Sequence, residues 1–523
     1  MSLPWLQNYD PLGNTALSTA AAAVPVCTLF YFLAVRRAPA WRAAAYGCLA
    51  AAAVALGTFH MPPGMVVGAG AAGLVFGSIR IAWVLVAALF VYRISIESGH
   101  FEVIRQSVGA VSADRRLQAL FIGFALGTLL EGAGGGAAVA VTAAIAAGLG
   151  IPPLQAAVIC LVGNSASVAY GGLGNPVRAL VASTGLKEVD LVAGIVRILA
   201  LATLALPFWT VRAFSKTRAS LAIWPALLAS GIAFAAVQSL APKWIPASLV
   251  DIGGGIATLT VLALIGRRSA PAMPGLRFRR ILLAWSPFLL LASFIVIWGT
   301  PSVSVALDSL SWRRPVPGLH LKVVRTQPMV TKPRPEAALF EVSWLSTPGT
   351  AGFLAALIAA PLAGLSFRKT FRIFSRLLWR LRPSVLAIAL LAAMAYITRY
   401  SGMDATIGVA ISKTGALFPF FAATIGWLGA VFSGTAAGSN AMFGGLQVTT
   451  ARSLGLSPIL LGSANAAGGA MGKMLSAQSL VVACAATGQE GGEGDVFGAV
   501  ARQSLGLVGI VALLVLILAY VNA

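Results

Sequence analysis

The chain has 523 residues, 58% of them hydrophobic and only 10% charged, with 37 basic against 15 acidic residues and a formal net charge of +22. A mean hydropathy of +0.88 excludes an ordinary soluble multidomain protein of this length. The positive charge does not point to nucleic acid, because the basic residues fall in short breaks between apolar runs.

A bilayer core takes about 20 apolar residues per helix, and charge-poor windows of that order recur along the chain. Residues 1–60 hold two, at 16–35 and 43–60, separated by Arg36, Arg37 and Arg42. Asp10 precedes the first run and no basic stretch does, so a cleaved signal peptide is not expected. Residues 61–215 hold windows at 64–79, 81–97, 118–150, 154–175 and 189–211, with Arg80 and Arg93 leaving the topology of 61–117 open. Residues 216–345 add 219–240, 248–266 and 281–299, then a long loop over 300–347. Residues 346–523 close the chain with 348–366, 383–399, 417–450, 455–486 and 499–521. The expected class is an all-α polytopic membrane protein with about 12–14 crossings.

Three breaks are strongly basic: Arg212, Lys216 and Arg218; Arg267, Arg268, Arg277, Arg279 and Arg280; and Arg368, Lys369, Arg372, Arg376, Arg380 and Arg382. The positive-inside bias places these in the cytoplasm and the 300–347 loop outside. Cys27, Cys48, Cys160 and Cys484 are dispersed without a CxxC and are expected to be small buried residues. His60, His100 and His320 lack ligand spacing, so no metal site is expected. There is no P-loop, and GAGGG lacks the setting of a dinucleotide loop, so no cofactor is expected either.

Two stretches resemble each other. From Glu131 to Pro176 the chain reads EGAGGGAAVAVTAAIAAGLGIPPLQAAVICLVGNSASVAYGGLGNP, and from Ser433 to Ser479 it reads SGTAAGSNAMFGGLQVTTARSLGLSPILLGSANAAGGAMGKMLSAQS. Each has a Gly-rich polar patch, a turn before Pro153 or Pro458, and an asparagine, Asn164 or Asn465, seven residues before a glycine. Paired Gly-interrupted apolar segments point to a transporter site near the bilayer midplane. Two repeat-related halves are therefore expected, 61–215 with a broken helix or re-entrant hairpin near 131–140, and 346–523 with another near 433–447.

A helix can break within a membrane only where protein or a water-filled cavity satisfies the freed backbone. Gly132, Gly134, Gly135 and Gly136 mark one such break, and Gly434, Gly438, Gly444 and Gly445 the other. Helix ends turned toward one point by a break suit an anion. Close packing of small residues explains the glycines by themselves better, but not Asn164, Ser439 and Asn440 beside them, since unsatisfied amides in hydrocarbon are costly. Lys473 and Glu131 are sharper signals, because ionisable groups inside apolar segments are expensive and usually functional. Lys473 could pair with a substrate carboxylate, and Glu131 could carry a proton or pair with Lys473. A structural ion pair explains both residues too.

At these residues the sequence resembles the L-lactate permease family, which includes glycolate permeases. SGM at 401–403, GWLG at 426–429, SNAMFGGLQ at 439–447, SANAAGGAMGKMLSAQS at 463–479, FGAV at 497–500 and QSL at 503–505 follow its pattern. RLQALFIGFALGTLLEGAGGG and GIPPLQAAVICLVGNSASVAYGGLGNP match at a similar level. The resemblance implies a two-hairpin transporter of the bacterial cytoplasmic membrane that imports 2-hydroxymonocarboxylates with protons. It places Asn440, Gln447, Asn465, Lys473 and Gln478 in substrate or hairpin positions. Where the family usually reads GSDTSSN, this chain has Gly434-Thr435-Ala436-Ala437-Gly438-Ser439-Asn440, and EGAAGFGTP is also altered. With Ala436 in place of the family's acid, Glu131 is the one carboxylate left in either hairpin.

The expected function is secondary transport of a small organic anion, a lactate- or glycolate-like acid, by proton symport. Lys473, Asn465, Asn440, Ser439, Gln447, Gln478, Gly434, Thr435, Gly134, Gly136, Asn164 and Ser165 are the candidate substrate contacts, and Glu131 the proton-coupling residue. Partners are the carboxylate, protons and the lipid bilayer, with no nucleic acid; self-association is left open. Another organic acid or a sulfonate remains an alternative substrate. An anion channel would favour rings of charge, and an intramembrane enzyme needs a nucleophile–base pair or metal ligands; the sequence offers neither.

Overall fold

In hydrocarbon an isolated segment must satisfy its own backbone, which a helix does. A computed structural model describes residues 4–112, 114–215, 221–267, 278–330 and 332–521, and it follows this rule throughout. Ten of its helices are long and apolar enough to cross a membrane: Thr15–Val35, Ala40–Gly57, Pro63–Glu97, Arg115–Gly134, Glu188–Phe214, Ala247–Gly266, Phe278–Gly299, Phe367–Ser401, Gly415–Ser433 and Glu493–Val521. Pro153–Ala166 and Gly171–Thr184, bent by 52°, make an eleventh if taken as one. Ala138–Gly148, Trp224–Leu240, Pro348–Leu362 and Met403–Ser412 are shorter apolar helices. The protein is an all-α polytopic membrane protein.

The windows and the helices differ in instructive places. Windows 64–79 and 81–97 form one continuous helix, Pro63–Glu97, whose middle widens into a π-turn over Gly77–Ala82. Arg80 therefore ends no segment, and its guanidinium meets Glu341 of the long loop at 3.0 Å. The densest basic stretch is likewise no loop but the first half of the 35-residue helix Phe367–Ser401. Windows 118–150, 417–450 and 455–486 each break in the middle. Lys216, Arg218, Arg268 and Arg277 of the basic breaks lie outside the described residues.

The helices approach closely because small residues line their crossings. On Phe418–Ser433 and Pro458–Lys473, a Cβ added at Gly426, Gly468 or Gly472 would come within 2.1, 1.8 or 2.3 Å of a backbone carbonyl oxygen on the other helix. Cys160 and Cys484 are buried as expected, whereas Cys27 is exposed and Cys48 half-buried. Those two lie on Thr15–Phe30 and Ala40–Gly57, helices with few buried residues.

The 300–347 loop folds into short strands. Trp312–Pro315 pairs antiparallel with Leu339–Val342, while Val323–Arg325 pairs with Arg334–Pro335 and with Trp5–Leu6 near the N-terminus. A buried ion cluster fastens this cap to the spans: Glu336 accepts from Arg325 Nε at 3.0 Å and from Arg399 Nε at 2.7 Å. On a second set of loops, Arg37 pairs with Asp495 at 3.1 Å and Arg380 with Glu490 at 3.4 Å.

Candidate functional site

Two glycines interrupt the helices that build the site. Gly127–Gly134 stops at Gly135, where φ is +62°, and the chain resumes as Ala137–Gly148. Phe418–Ser433 stops at Gly434, where φ is +78°, and resumes as Ala436–Ser453, with Thr435 Oγ1 accepting from Gly438 N at 2.9 Å. Left-handed φ suits glycine, and at Gly434 space demands it as well: a Cβ there would lie 2.1 Å from Gln478 Oε1. A third break falls within Gly171–Thr184, where Gly172, Leu173 and Gly174 are all left-handed and the regular helix resumes at Asn175.

These breaks surround one cavity of about 490 Å³. Four helices begin at its wall, contributing Gly136, Asn175, Ala436 and Gln478 from or beside their first turns. Converging N-termini present N–H groups and positive dipole ends, which favours an anion. Lys473 lines the cavity at the end of Pro458–Lys473, where it also complements the helix dipole.

Lys473 is the reason for the site's electrostatics. Its Nζ donates to Glu131 Oε1, with 12% of the lysine side chain and 2% of the glutamate exposed. Asn164 Nδ2 donates to the other glutamate oxygen at 2.9 Å, and Asn164 Oδ1 has no partner. A charged pair this deep survives only when well bonded, and both members touch the cavity. Two arginines line it too. Arg80 is paired with Glu341, whereas Arg178 forms no ion pair with a described residue.

The candidate contacts divide sharply. Gln478, Thr435, Gly434, Gly134 and Gly136 line the cavity with Lys473. Asn440, Asn465, Gln447 and Ser439 do not; they form a fully buried amide network. Gln447 Nε2 donates to Ala422 O at 2.9 Å and Asn465 Oδ1 at 3.1 Å, and Asn465 Nδ2 to Asn440 Oδ1 at 2.9 Å. Asn440 Nδ2 reaches Pro176 O at 2.9 Å, tying the second broken helix to the first stretch, and Ser439 Oγ bonds Gly426 O at 2.7 Å. Ser165 bonds back to Leu161 O at 3.2 Å, away from the cavity.

Sequence reasoning passed over three residues. Arg178, an exposed residue of Gly171–Thr184 that lines the cavity, follows the GNP turn and looks from the sequence like a loop charge. Asp251 is 1% exposed, and neither of its carboxylate oxygens has a hydrogen-bond partner. Tyr170 is fully buried with an unpartnered hydroxyl. The signal for Asp251 was legible: a lone acid in the apolar run 248–266, followed by Gly253, Gly254 and Gly255 much as glycines follow Glu131.

The sequence matches the L-lactate permease family over residues 18–522. It is 37% identical to the glycolate permease GlcA of Escherichia coli K12, over 99% of this chain and 98% of that protein. It is 36% identical to the L-lactate permease of the same strain (99% and 98% covered) and 35% to that of Bacillus subtilis 168 (98% of each). The chain belongs to the L-lactate permease family and is a multi-pass transporter of the bacterial inner membrane, not an enzyme.

Proposed function

We propose that this chain carries a small 2-hydroxymonocarboxylate such as lactate or glycolate across the membrane together with a proton. The observation that carries the reading is the buried Lys473–Glu131 pair at the cavity wall. A substrate carboxylate competes with Glu131 for Lys473, which offers a strong charge-assisted contact in a site of low dielectric. Glu131, once displaced, keeps only Asn164 and is a buried carboxylate short of a cation. Taking up a proton removes that unfavourable charge, so substrate and proton bind together.

The other roles follow from position. Helix N-termini at Gly136, Ala436 and Gln478 supplement Lys473 in holding the carboxylate, while Thr435, Gln478 and Ser479 offer hydroxyl and amide groups for the substrate's 2-hydroxyl. Asn440, Asn465, Gln447 and Ser439 hold the second broken helix in register, and Asn164 orients Glu131. In the same reading the stretches 131–176 and 433–479 are repeat-related, each running break, helix, proline-led helix, break, helix.

A second reading is a larger or sulfonated organic acid. It is favoured by Arg178, which forms no ion pair among the described residues, and by the short side chains of Ala436 and Ala437 at the cavity wall. Counterflow in proteoliposomes separates the readings. Preloading with unlabelled glycolate or L-lactate should accelerate entry of the labelled acid, and a panel of larger acids and alkyl sulfonates should compete poorly. Acceleration only by the larger acids would replace the first reading with the second, and none by any acid would remove both.

A further inference from the structure

Asp251 lies in the first turn of the helix Val250–Gly266, fully buried, with no donor for either carboxylate oxygen. An anion placed so loses its hydration and gains only the helix's N-terminal dipole, with no cation and no hydrogen-bond donor. Other buried acids here are treated differently: Glu336 has two arginines, and Glu131 has Lys473 and Asn164. The surroundings of Asp251 suit a carboxyl that holds a proton.

Its place gives that proton a destination. A Cβ built on Gly132, the residue after Glu131, would lie 2.5 Å from Asp251 Cβ, and one on Gly255 would lie 2.7 Å from Leu129 Cα. Glycines thus keep this helix pressed against the one that carries Glu131. Among the described residues, the charged and titratable groups near enough to act electrostatically on Asp251 are Glu131, Lys473 and Tyr170, none of them hydrogen-bonded to it, and the buried Tyr170 hydroxyl is also unpartnered. The neighbouring segments Trp224–Leu240, Phe121–Leu126 and Ala247–Leu249 bring no titratable side chain.

We propose that Asp251 is the proton donor to Glu131 in the transport cycle, an inference that rests on the proton-coupled reading above. When substrate takes Lys473, the O–H bond of Asp251 breaks and a new O–H bond forms on the displaced Glu131 carboxylate. Asp251 is left as the carboxylate in the first turn of its helix, where the N-terminal dipole favours an anion. Water admitted from the side of proton entry then returns a proton to it. Before and after, the electron count is unchanged, and one proton enters for each anion.

The test compares wild type, Asp251→Asn and Asp251→Glu in proteoliposomes, each checked for monodispersity and thermal unfolding in detergent. Labelled glycolate uptake is measured under an imposed inward proton gradient, across external pH, and in counterflow at equal pH. Asp251→Asn resembles the neutral acid, so counterflow should persist. A positioned proton donor contributes about 10² in rate, so the gradient-driven component should fall by about that factor and its pH profile should flatten. Asp251→Glu should restore part of both. Stimulation that is present in the wild type and intact in Asp251→Asn overturns this assignment alone. Stimulation absent from the wild type overturns the proton-coupled reading and this assignment with it. Parallel loss of counterflow and gradient response in both well-folded variants would make Asp251 structural and overturn it as well.

Discussion

The two broken helices use the same backbone device for opposite ends. At Gly135 the break sits beside an ion pair, Glu131 with Lys473, so that its surroundings carry charge that a ligand can redistribute. At Gly434 the break is followed by Ala436 and Ala437, and the polar groups beyond them are neutral amides bonded to one another and to backbone. One break therefore sits beside a charged pair at the cavity wall, and the other beside a neutral network bonded within itself. Paired glycine breaks do not imply paired chemistry: in this chain the charge has collected on the first, with Lys473 reaching in from the helix after the second.

The sharpest way to break this comparison is to remove the cation. Lys473→Gln leaves Glu131 buried without a counter-charge, which should cost about 3–5 kcal/mol of stability. It should also abolish uptake, since losing a charge-assisted contact weakens binding by about 1.5–3 kcal/mol. Adding Glu131→Gln should restore thermal stability without restoring uptake. Glycolate affinity unchanged in Lys473→Gln would refute the pairing.

The neutral network should respond differently. Gln447→Ala and Asn465→Ala each strand buried amide partners, for about 1–3 kcal/mol of stability. Unfolding temperature should drop in both, while KM for the folded fraction stays near the wild-type value. A raised KM at unchanged stability would move these amides from scaffold to substrate contact.

The smallest effect belongs to the outer cap. Burial raises the Glu336 carboxyl, but Arg325 and Arg399 outweigh it and hold it down to about 2, against an ordinary 4.5. A carboxyl held lower in the folded state stabilises fully above the unfolded value, and that contribution disappears as pH falls toward about 2. Glu336→Gln should therefore unfold more readily than wild type at neutral pH, with the gap closing below about pH 4. A gap independent of pH would show that the cluster contributes through packing alone.

Much of this was legible in the residues. Lys473 and Glu131 stood out because charge in an apolar run demands a partner; of the glycines, Gly135 and Gly434 sit at breaks, whereas Gly438, Gly444 and Gly445 lie inside the helix Ala436–Ser453. The pairing of those two side chains, 342 residues apart, was named only as an option, since nothing local fixes it. Helix limits were harder. Arg80 and the 368–382 stretch looked like segment ends because long basic side chains can reach past apolar surroundings, Arg80 to Glu341 and Arg380 to Glu490. Asparagine, glutamine and serine in the second stretch drew attention as ligands, yet amides satisfy helix backbones just as readily. Asp251 escaped because its partner helix lies in 115–134, far away in sequence, and only folding brings Gly132 against it.

The central claim is that substrate and proton meet through the Lys473–Glu131 pair. The most direct measurement is proton uptake on ligand binding, with purified protein in weakly buffered detergent, a pH-sensitive dye and saturating glycolate. Linkage predicts uptake of about one proton per glycolate bound by the wild type and none by Glu131→Gln, which should still bind. Wild-type binding with no proton uptake, or the same uptake in Glu131→Gln, would contradict the account.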